Sequence, residues 1–442
     1  MKSKHTLFLI LSLFTLISAT IDMSSLLDYD GQTIPNYIQN NRDLTPNDNT
    51  LTDIGATLGR VLFYDKNLSL TGTTSCASCH QQQFAFGDTA VVSVGFDGQT
   101  TGRHSMRLVN TRYGREERFF WDARAANLEA QSTQPIQDFG EMGFSGTNGQ
   151  PDLDSLIRKM NGISYYPTLF QQSFGTATIT EERMQHALAQ FMRSIISFDS
   201  RYDEALVAAG GDVNAVFASF TAAEQAGKDL YMSNNDSGCN RCHQAPLFDM
   251  DEDRNNNGVI TVAGNPSATD LFNTRSPSIR DMFGPDGTLN GPMMHDGSFA
   301  TMREVIEHYD NPPFNDSLDT RMRNGNQSQN LNLTETEMDN LEAFLKTLTG
   351  SNIYTDEKWS DPFDDNGNLF LLDGNCDDTH FVINTNVNGG ADLKVAEDSI
   401  SSSGQILSSA SVLYQAGQEI NLEAGFEIES GSIFSAQIES CN

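Results

Sequence analysis

Two pentapeptides of this chain set a pair of thiols beside an imidazole: Cys76-Ala-Ser-Cys79-His80 and Cys239-Asn-Arg-Cys242-His243. Cys-x-x-Cys-His is the attachment signature of c-type haem. Two thiols add across the vinyl groups of the macrocycle, and the adjacent histidine gives a ring nitrogen to the iron. A zinc site would need a second Cys-x-x-Cys or a His pair at finger spacing, and neither motif has one. Two covalently bound haem c groups are therefore expected, on Cys76, Cys79, Cys239 and Cys242, with His80 and His243 as iron ligands. A chain carrying two such groups moves electrons.

The elements around these motifs read mainly as helix. Ile54–Phe63 leads into the first motif, and Thr221–Met232 leads into the second. Glu181–Phe198 has apolar residues at helical spacing behind a Thr180 cap, and Thr336–Leu348 is a closing amphipathic helix. Strand signals are scarce before residue 350. The two haem motifs are far apart in the chain, at 76–80 and 239–243, which suits one haem in each of two domains. The expected fold is mainly α: an N-terminal cytochrome c-like domain over 20–200 and a second cytochrome c-like domain over 201–350. A linker over 351–378 and an all-β module over 379–442 follow.

Export is expected from the first residues. Met1-Lys2-Ser3-Lys4-His5 precedes an apolar run from Leu7 to Ile17 and then Ser18-Ala19-Thr20. That is a basic region, an apolar core and a small-residue cleavage site, so 1–19 reads as a signal peptide. The run is too short for a permanent span. The mature protein is placed in the periplasm, at the cell surface or in the medium, where Cys376 and Cys441 could pair. The net charge is -32, which argues against nucleic acid and anionic membranes as partners.

From 379 the chain alternates apolar and polar residues between glycines, as in Val412-Leu413-Tyr414, Ile420-Asn421-Leu422 and Phe426-Glu427-Ile428, with Gly417, Gly425 and Gly431 as punctuation. A small stack of short strands with tight turns is expected, and no chemistry is assigned to it. The tail resembles glycine-punctuated C-terminal β modules on secreted proteins of gliding, Bacteroidetes-like bacteria, which implies surface attachment or sorting.

Several blocks between about 50 and 350 resemble the bacterial di-haem cytochrome c peroxidases, including their MauG-like branch. They are Leu58-Gly59-Arg60-Val61-Leu62-Phe63, the first haem motif, Phe120-Trp121-Asp122-Ala123-Arg124, Gln131-Ser132-Thr133-Gln134-Pro135, Glu141-Met142-Gly143, the second haem motif and His295-Asp296-Gly297-Ser298-Phe299-Ala300-Thr301. The resemblance makes the first haem the peroxidatic one and puts Glu141 and Gln131 on its distal side. A carboxylate can move the proton that O–O cleavage requires, and an amide can orient peroxide or water. Trp121 would lie between the haems and help electrons cross; a plain core aromatic fits the residue equally well.

Two positions depart from the priming peroxidases. Those often carry a blocking histidine a short way after the first haem histidine. Counted from His80, that place falls on Phe96, and the nearest imidazole is His104. An open first haem, active without reductive priming, is expected. The second haem's far ligand in the peroxidases is a methionine at a set distance after the histidine of the His-x-Gly block. Counted from His295, that place is Tyr309, the residue type of the MauG-like branch. Rival ligands are His308, Met302, Met293 and Met294. A phenolate would lower that haem's potential.

The resemblance also implies one interdomain calcium ion near Asn290 and Pro292, with His104 where an asparagine is usual, and a homodimer as a candidate assembly. The run Asp249-x-Asp251-x-Asp253-x-Asn255-x-Asn257-Gly258 has alternating oxygen donors, but it lacks the glycine and glutamate of an EF-hand loop, so a solvated acidic loop is favoured. The leading expectation is reduction of hydrogen peroxide to water with electrons from a small c-type cytochrome or cupredoxin. The alternatives are MauG-like oxidation of a protein or organic substrate through high-valent haems, and a di-haem electron carrier with no catalysis.

Overall fold

The computed structural model describes residues 26–364, apart from 39–42, 115–116, 234–238, 250–254, 273–274 and 276–277, together with 367–369 and strand segments between 380 and 438. The signal-peptide residues, Cys376 and Cys441 lie outside the described residues. No helix among the described residues is long and apolar enough to cross a membrane.

The chain up to 360 is mostly helical. Its helices are α1 Asp53–Tyr64, α2 Leu128–Ser132, α3 Leu153–Asn161, α4 Tyr165–Phe174, α5 Glu181–Ser194, α6 Arg201–Ala208, α7 Ala222–Tyr231, α8 Met302–Asp310, α9 Glu335–Lys346 and α10 Asn352–Thr355. Their starts are chemically marked. Thr52, Asn127, Asp152, Thr180, Ser200, Thr221, Thr301 and Thr334 each accept a hydrogen bond from a first-turn backbone N–H through the side chain. These caps satisfy donors that the helix itself cannot. Among the described residues the strands in this part are two short antiparallel pairs, β1 Thr261–Val262 with β2 Asn265–Thr269 and β3 Arg323–Asn324 with β4 Gln327–Ser328.

Among the described residues the two largest apolar cores each lie beside one Cys-x-x-Cys-His turn. The first gathers Leu58, Val61, Leu62 and Phe63 of α1 with Ala187, Leu188 and Phe191 of α5. The second gathers Tyr231 of α7 with Leu341, Phe344 and Leu345 of α9. Both cores use the same device at the helix crossing. A Cβ on Gly59 would lie 2.0 Å from the Ala187 carbonyl oxygen, and one on Gly227 would lie 1.9 Å from that of Asn340. Only hydrogen at those positions lets the backbones meet. Gly59→Ala and Gly227→Ala should each push a helix pair apart and destabilise by about 1–3 kcal/mol, read as a lower denaturant midpoint. An unchanged midpoint would mean that the crossing is looser than described.

Two stretches differ from expectation. The helix expected over 181–198 stops at Ser194, because Ile195 turns extended. Tertiary bonds take over there: Asn110 N–H donates to the Ile195 carbonyl at 2.9 Å, and the Asn110 side chain pairs with both backbone groups of Ser197. Apolar spacing persists to Phe198, but backbone bonding does not. Residues 351–360, expected within a linker, return to the first core. Trp359 is buried there; Tyr29 OH donates to the Lys358 carbonyl, Tyr64 OH to that of Trp359 and Arg60 Nε to that of Ser360. The lone tryptophan of that stretch marks packing rather than a spacer.

The tail contains β5 His380–Ile383, β6 Gly390–Ala396, β7 Ser399–Ser402, β8 Gln405–Ile406, β9 Ala410–Ala416, β10 Glu419–Leu422, β11 Glu427–Ile428 and β12 Ile433–Ile438. Every pairing is parallel: β7 lies between β5 and β10, β9 lies between β6 and β12, and β8 pairs with β11. Each strand thus skips its chain neighbours and joins the third strand on or, for β5 and β7, the next but one or the third. That is a coiled stack, in which each coil offers its strand edges to the next. Gly417, Gly425 and Gly431 lie outside the described residues.

Candidate active site

Both Cys-x-x-Cys-His motifs fold into the same tight turn. Cys76–Ser78 and Cys239–Arg241 are single 3₁₀ turns, and the histidine N–H returns to the first cysteine's carbonyl at 2.9 Å for His80 and 3.0 Å for His243. The chain then doubles back through left-handed Phe86 and left-handed Phe248, each at φ 57°. His80 Nδ1 faces the Phe86 carbonyl at 3.2 Å. A carbonyl only accepts, so Nδ1 carries the proton and Nε2 is left as a lone pair for a metal. No disulfide joins the four cysteines. Burial raises Cys76 to about 12, and Cys79 and Cys239 to about 11. A working redox dithiol needs a populated thiolate, so these turns do not suit that role.

Cys76, Cys79 and His80 line a cavity of about 550 Å³ that Gln131, Pro135 and Glu141 also line. Gln131 rides on α2, whose Asn127 cap fixes the start. The next face of α2 is clamped from behind: Glu129 forms a buried bidentate pair with Arg193 of α5 at 2.6 and 2.9 Å and accepts from Asn49 at 2.7 Å. Removing one partner of such a pair leaves a buried charge and costs about 3–5 kcal/mol. Arg193→Met should therefore lower the melting temperature sharply, and a change within error would deny the clamp its role.

Glu141 sits on a loop held at both ends. Its N–H donates to Asp138 Oδ1 at 3.1 Å, and its carbonyl accepts from the Phe96 N–H at 3.0 Å. Gly95 passes so close that a Cβ there would lie 1.8 Å from the Gly140 carbonyl oxygen. The side chains of Glu141 and Gln131 make no hydrogen bond to any described residue. Burial, with Asp138 nearby, raises the Glu141 carboxyl from 4.5 to about 7, against the pull of Arg124. A carboxyl so poised both takes and gives protons near neutral pH. Phe96 does not line this cavity, whereas His104 does, with Nδ1 facing the Ala90 carbonyl at 2.9 Å.

Trp121 lines both this cavity and the one at the second motif. Its indole N–H donates to the His104 carbonyl at 2.7 Å, and its ring stands edge-on to His295 at 6.2 Å. Arg107 and Arg275 also line both. Sequence reading missed these arginines, since no motif marks them.

The second cavity, about 200 Å³, is lined by Cys239, Cys242 and His243 and by the candidate ligands Tyr309, Met293, Met294 and Met302. His308 is turned away, with Nε2 on the Asn257 carbonyl at 2.8 Å. Asn257 also organises the far wall. Its Nδ2 donates to Tyr309 OH at 3.1 Å and lies 3.2 Å from Met294 Sδ. Burial raises the Tyr309 phenol to about 12, and the Asn257 bond opposes that rise. Only a bound cation could make it a phenolate at neutral pH. The sequence flagged Asn257 as part of an acidic run, not as the amide that holds Tyr309.

The expected calcium place near Asn290 and Pro292 keeps their oxygens as donors but has His104 where an amide oxygen is usual. The His104 ring nitrogen, in place of an amide oxygen, is hydrogen-bonded and is no calcium ligand. Asn290 Nδ2 is engaged with the Asp281 carbonyl and Tyr354 OH at 2.9 and 2.8 Å. In the acidic run, Asp251 and Asp253 lie outside the described residues, and Asn255 N–H donates to Asp319 Oδ2.

Comparison with known proteins agrees with this geometry. Residues 54–210 match the family model for di-haem cytochrome c peroxidase. The methylamine utilization protein MauG of Methylophilus methylotrophus is 30% identical over 313 residues, covering 69% of this chain and 85% of the relative. Cytochrome c551 peroxidase of Nitrosomonas europaea is 28% identical over 307 residues, covering 67% of this chain and 80% of the relative. Among solved structures, a MauG-like protein associated with microbial copper homeostasis superposes with a TM-score of 0.60 at 30% identity, covering 74% of this chain and 98% of that one. The chain belongs to the di-haem cytochrome c peroxidase family, which includes MauG. It is an oxidoreductase that acts with peroxide, and its family implies haem c.

Proposed function

We propose that the protein is a c-type di-haem peroxidase that reduces hydrogen peroxide to water at the Cys76–His80 cavity. The observation that carries this reading is the pair of uncommitted side chains there, Glu141 with its carboxyl raised to about 7 and Gln131 beside it. An electron carrier has no use for a distal acid. Two cytochrome c-like domains, 20–200 and 201–350, each hold one haem: Cys76 and Cys79 attach the first and Cys239 and Cys242 the second, with His80 and His243 as iron ligands. The haem iron supplies the redox change that breaks the O–O bond. Glu141 takes the proton from the near oxygen of peroxide and returns it to the departing one, and Gln131 orients the substrate by its amide. Tyr309 Oη, held in place by Asn257, would be a ligand to the second haem's iron, and Trp121 lines both cavities.

Nothing in this account requires calcium. The charge of -32 suits a basic exported donor, a small cytochrome or cupredoxin, and the signal peptide places both partners outside the cytoplasm. The second reading, MauG-like oxidation of a protein or organic substrate, draws on Tyr309. The test is stoichiometric. Each peroxide reduced to water requires two electrons and two protons, so two reduced cytochromes should be oxidised per peroxide added to the purified protein. Peroxide consumption without cytochrome oxidation would overturn the peroxidase reading in favour of the second.

A further inference from the structure

We propose that Arg107 is a shared anchor for the propionate carboxylates of both haems. The inference rests on the two-haem reading above. Arg107 lines both cavities. Its Nε is buried with no acceptor, and its guanidinium makes no hydrogen bond or ion pair to any described residue. A half-buried cation with its Nε left so is costly unless something anionic completes it. No acid among the described residues does so by direct contact. Asp281 of the second core acts on Arg107 only through space, alongside Tyr354. The buried Arg193 and Arg280, by contrast, take carboxylates directly, from Glu129 and Asp203.

The stem of Arg107 is fixed. Its Cγ lies 2.9 Å from where a Cβ on Gly87 would stand, so the residue lies beside the first Cys-x-x-Cys-His turn, with Tyr354 of the first core and Asp281, next to Met282 of the second, acting on it through space. Haem brings two carboxylates per macrocycle. A planar guanidinium with several donors holds two such groups at once, where an ammonium acts as a point charge.

The test uses the holoprotein. Haem content is measured first, and the wild type should carry two haems per chain; any other count fails the underlying reading and not this inference. Potentials of both haems are then measured by spectroelectrochemistry, and propionate bending bands by resonance Raman. A cation beside propionates favours the reduced haem, so R107M should make reduction roughly tenfold less favourable at each haem, about 59 mV lower, and should move the bands of both. R107K keeps the charge and should restore the potentials while the bands stay shifted. Unchanged potentials and bands in a fully loaded R107M would overturn the proposal, and so would a shift at one haem alone. If R107M does not retain haem, R107K carries the test, and unchanged bands there would overturn it.

Discussion

Replacing Glu141 with Gln should lower peroxide turnover by about 10²–10⁴-fold, the range a positioned acid–base group contributes, while the oxidised and reduced absorption spectra stay as in the wild type. The amide fills the same space, and the side chain has no protein hydrogen bond to lose. Turnover of the wild type should rise with pH through about 7, because the ionised carboxylate is the form that accepts the peroxide proton. Stability runs the other way. The folded carboxyl sits above its ordinary 4.5, so its contribution is complete below that value and is lost as pH rises through about 7. The Gln variant should lack both dependences, and its melting temperature should gain on the wild type as pH rises from 4.5 to about 7. Unchanged turnover in a correctly loaded variant would remove Glu141 from the chemistry.

Replacing Tyr309 with Met should raise the second haem's reduction potential by a few tenths of a volt, within the roughly 0.8 V over which axial ligands set haem potentials. A hard phenolate favours ferric iron, and a thioether favours ferrous iron. Asn257→Leu should move the potential the opposite way and by less, since it deletes the hydrogen bond that draws charge from the Tyr309 oxygen and leaves a stronger donor to ferric iron. A potential that ignored Tyr309→Met would pass the role to Met293, Met294 or Met302, which share the cavity.

The two Cys-x-x-Cys-His turns were legible from sequence because the spacing lies within one pentapeptide. So were the helices beside them, whose caps and apolar periods are local signals. Glu141 and Gln131 were found only through the resemblance; alone, each is a polar loop or helix residue like many others. Arg107 and Asn257 were missed for a physical reason. What singles them out is position between elements far apart in sequence, with Arg107 facing Asp281 and Asn257 reaching Tyr309. The tail's alternation announced strands, yet the pairing of β9 with β6 and β12, past the strands between them, is a property of the coil. Residues 351–360 looked like a spacer because their packing partners, Tyr29, Arg60 and Tyr64, lie at the other end of the helical part of the chain.

The most direct test of the open first site is the initial rate of peroxide-dependent cytochrome oxidation by fully oxidised protein, set against protein reduced beforehand by one electron. With Phe96 where a blocking imidazole would stand and its N–H holding the Glu141 loop, the account predicts equal rates and no lag. A long lag or an inactive oxidised form, abolished by prior reduction, would contradict it.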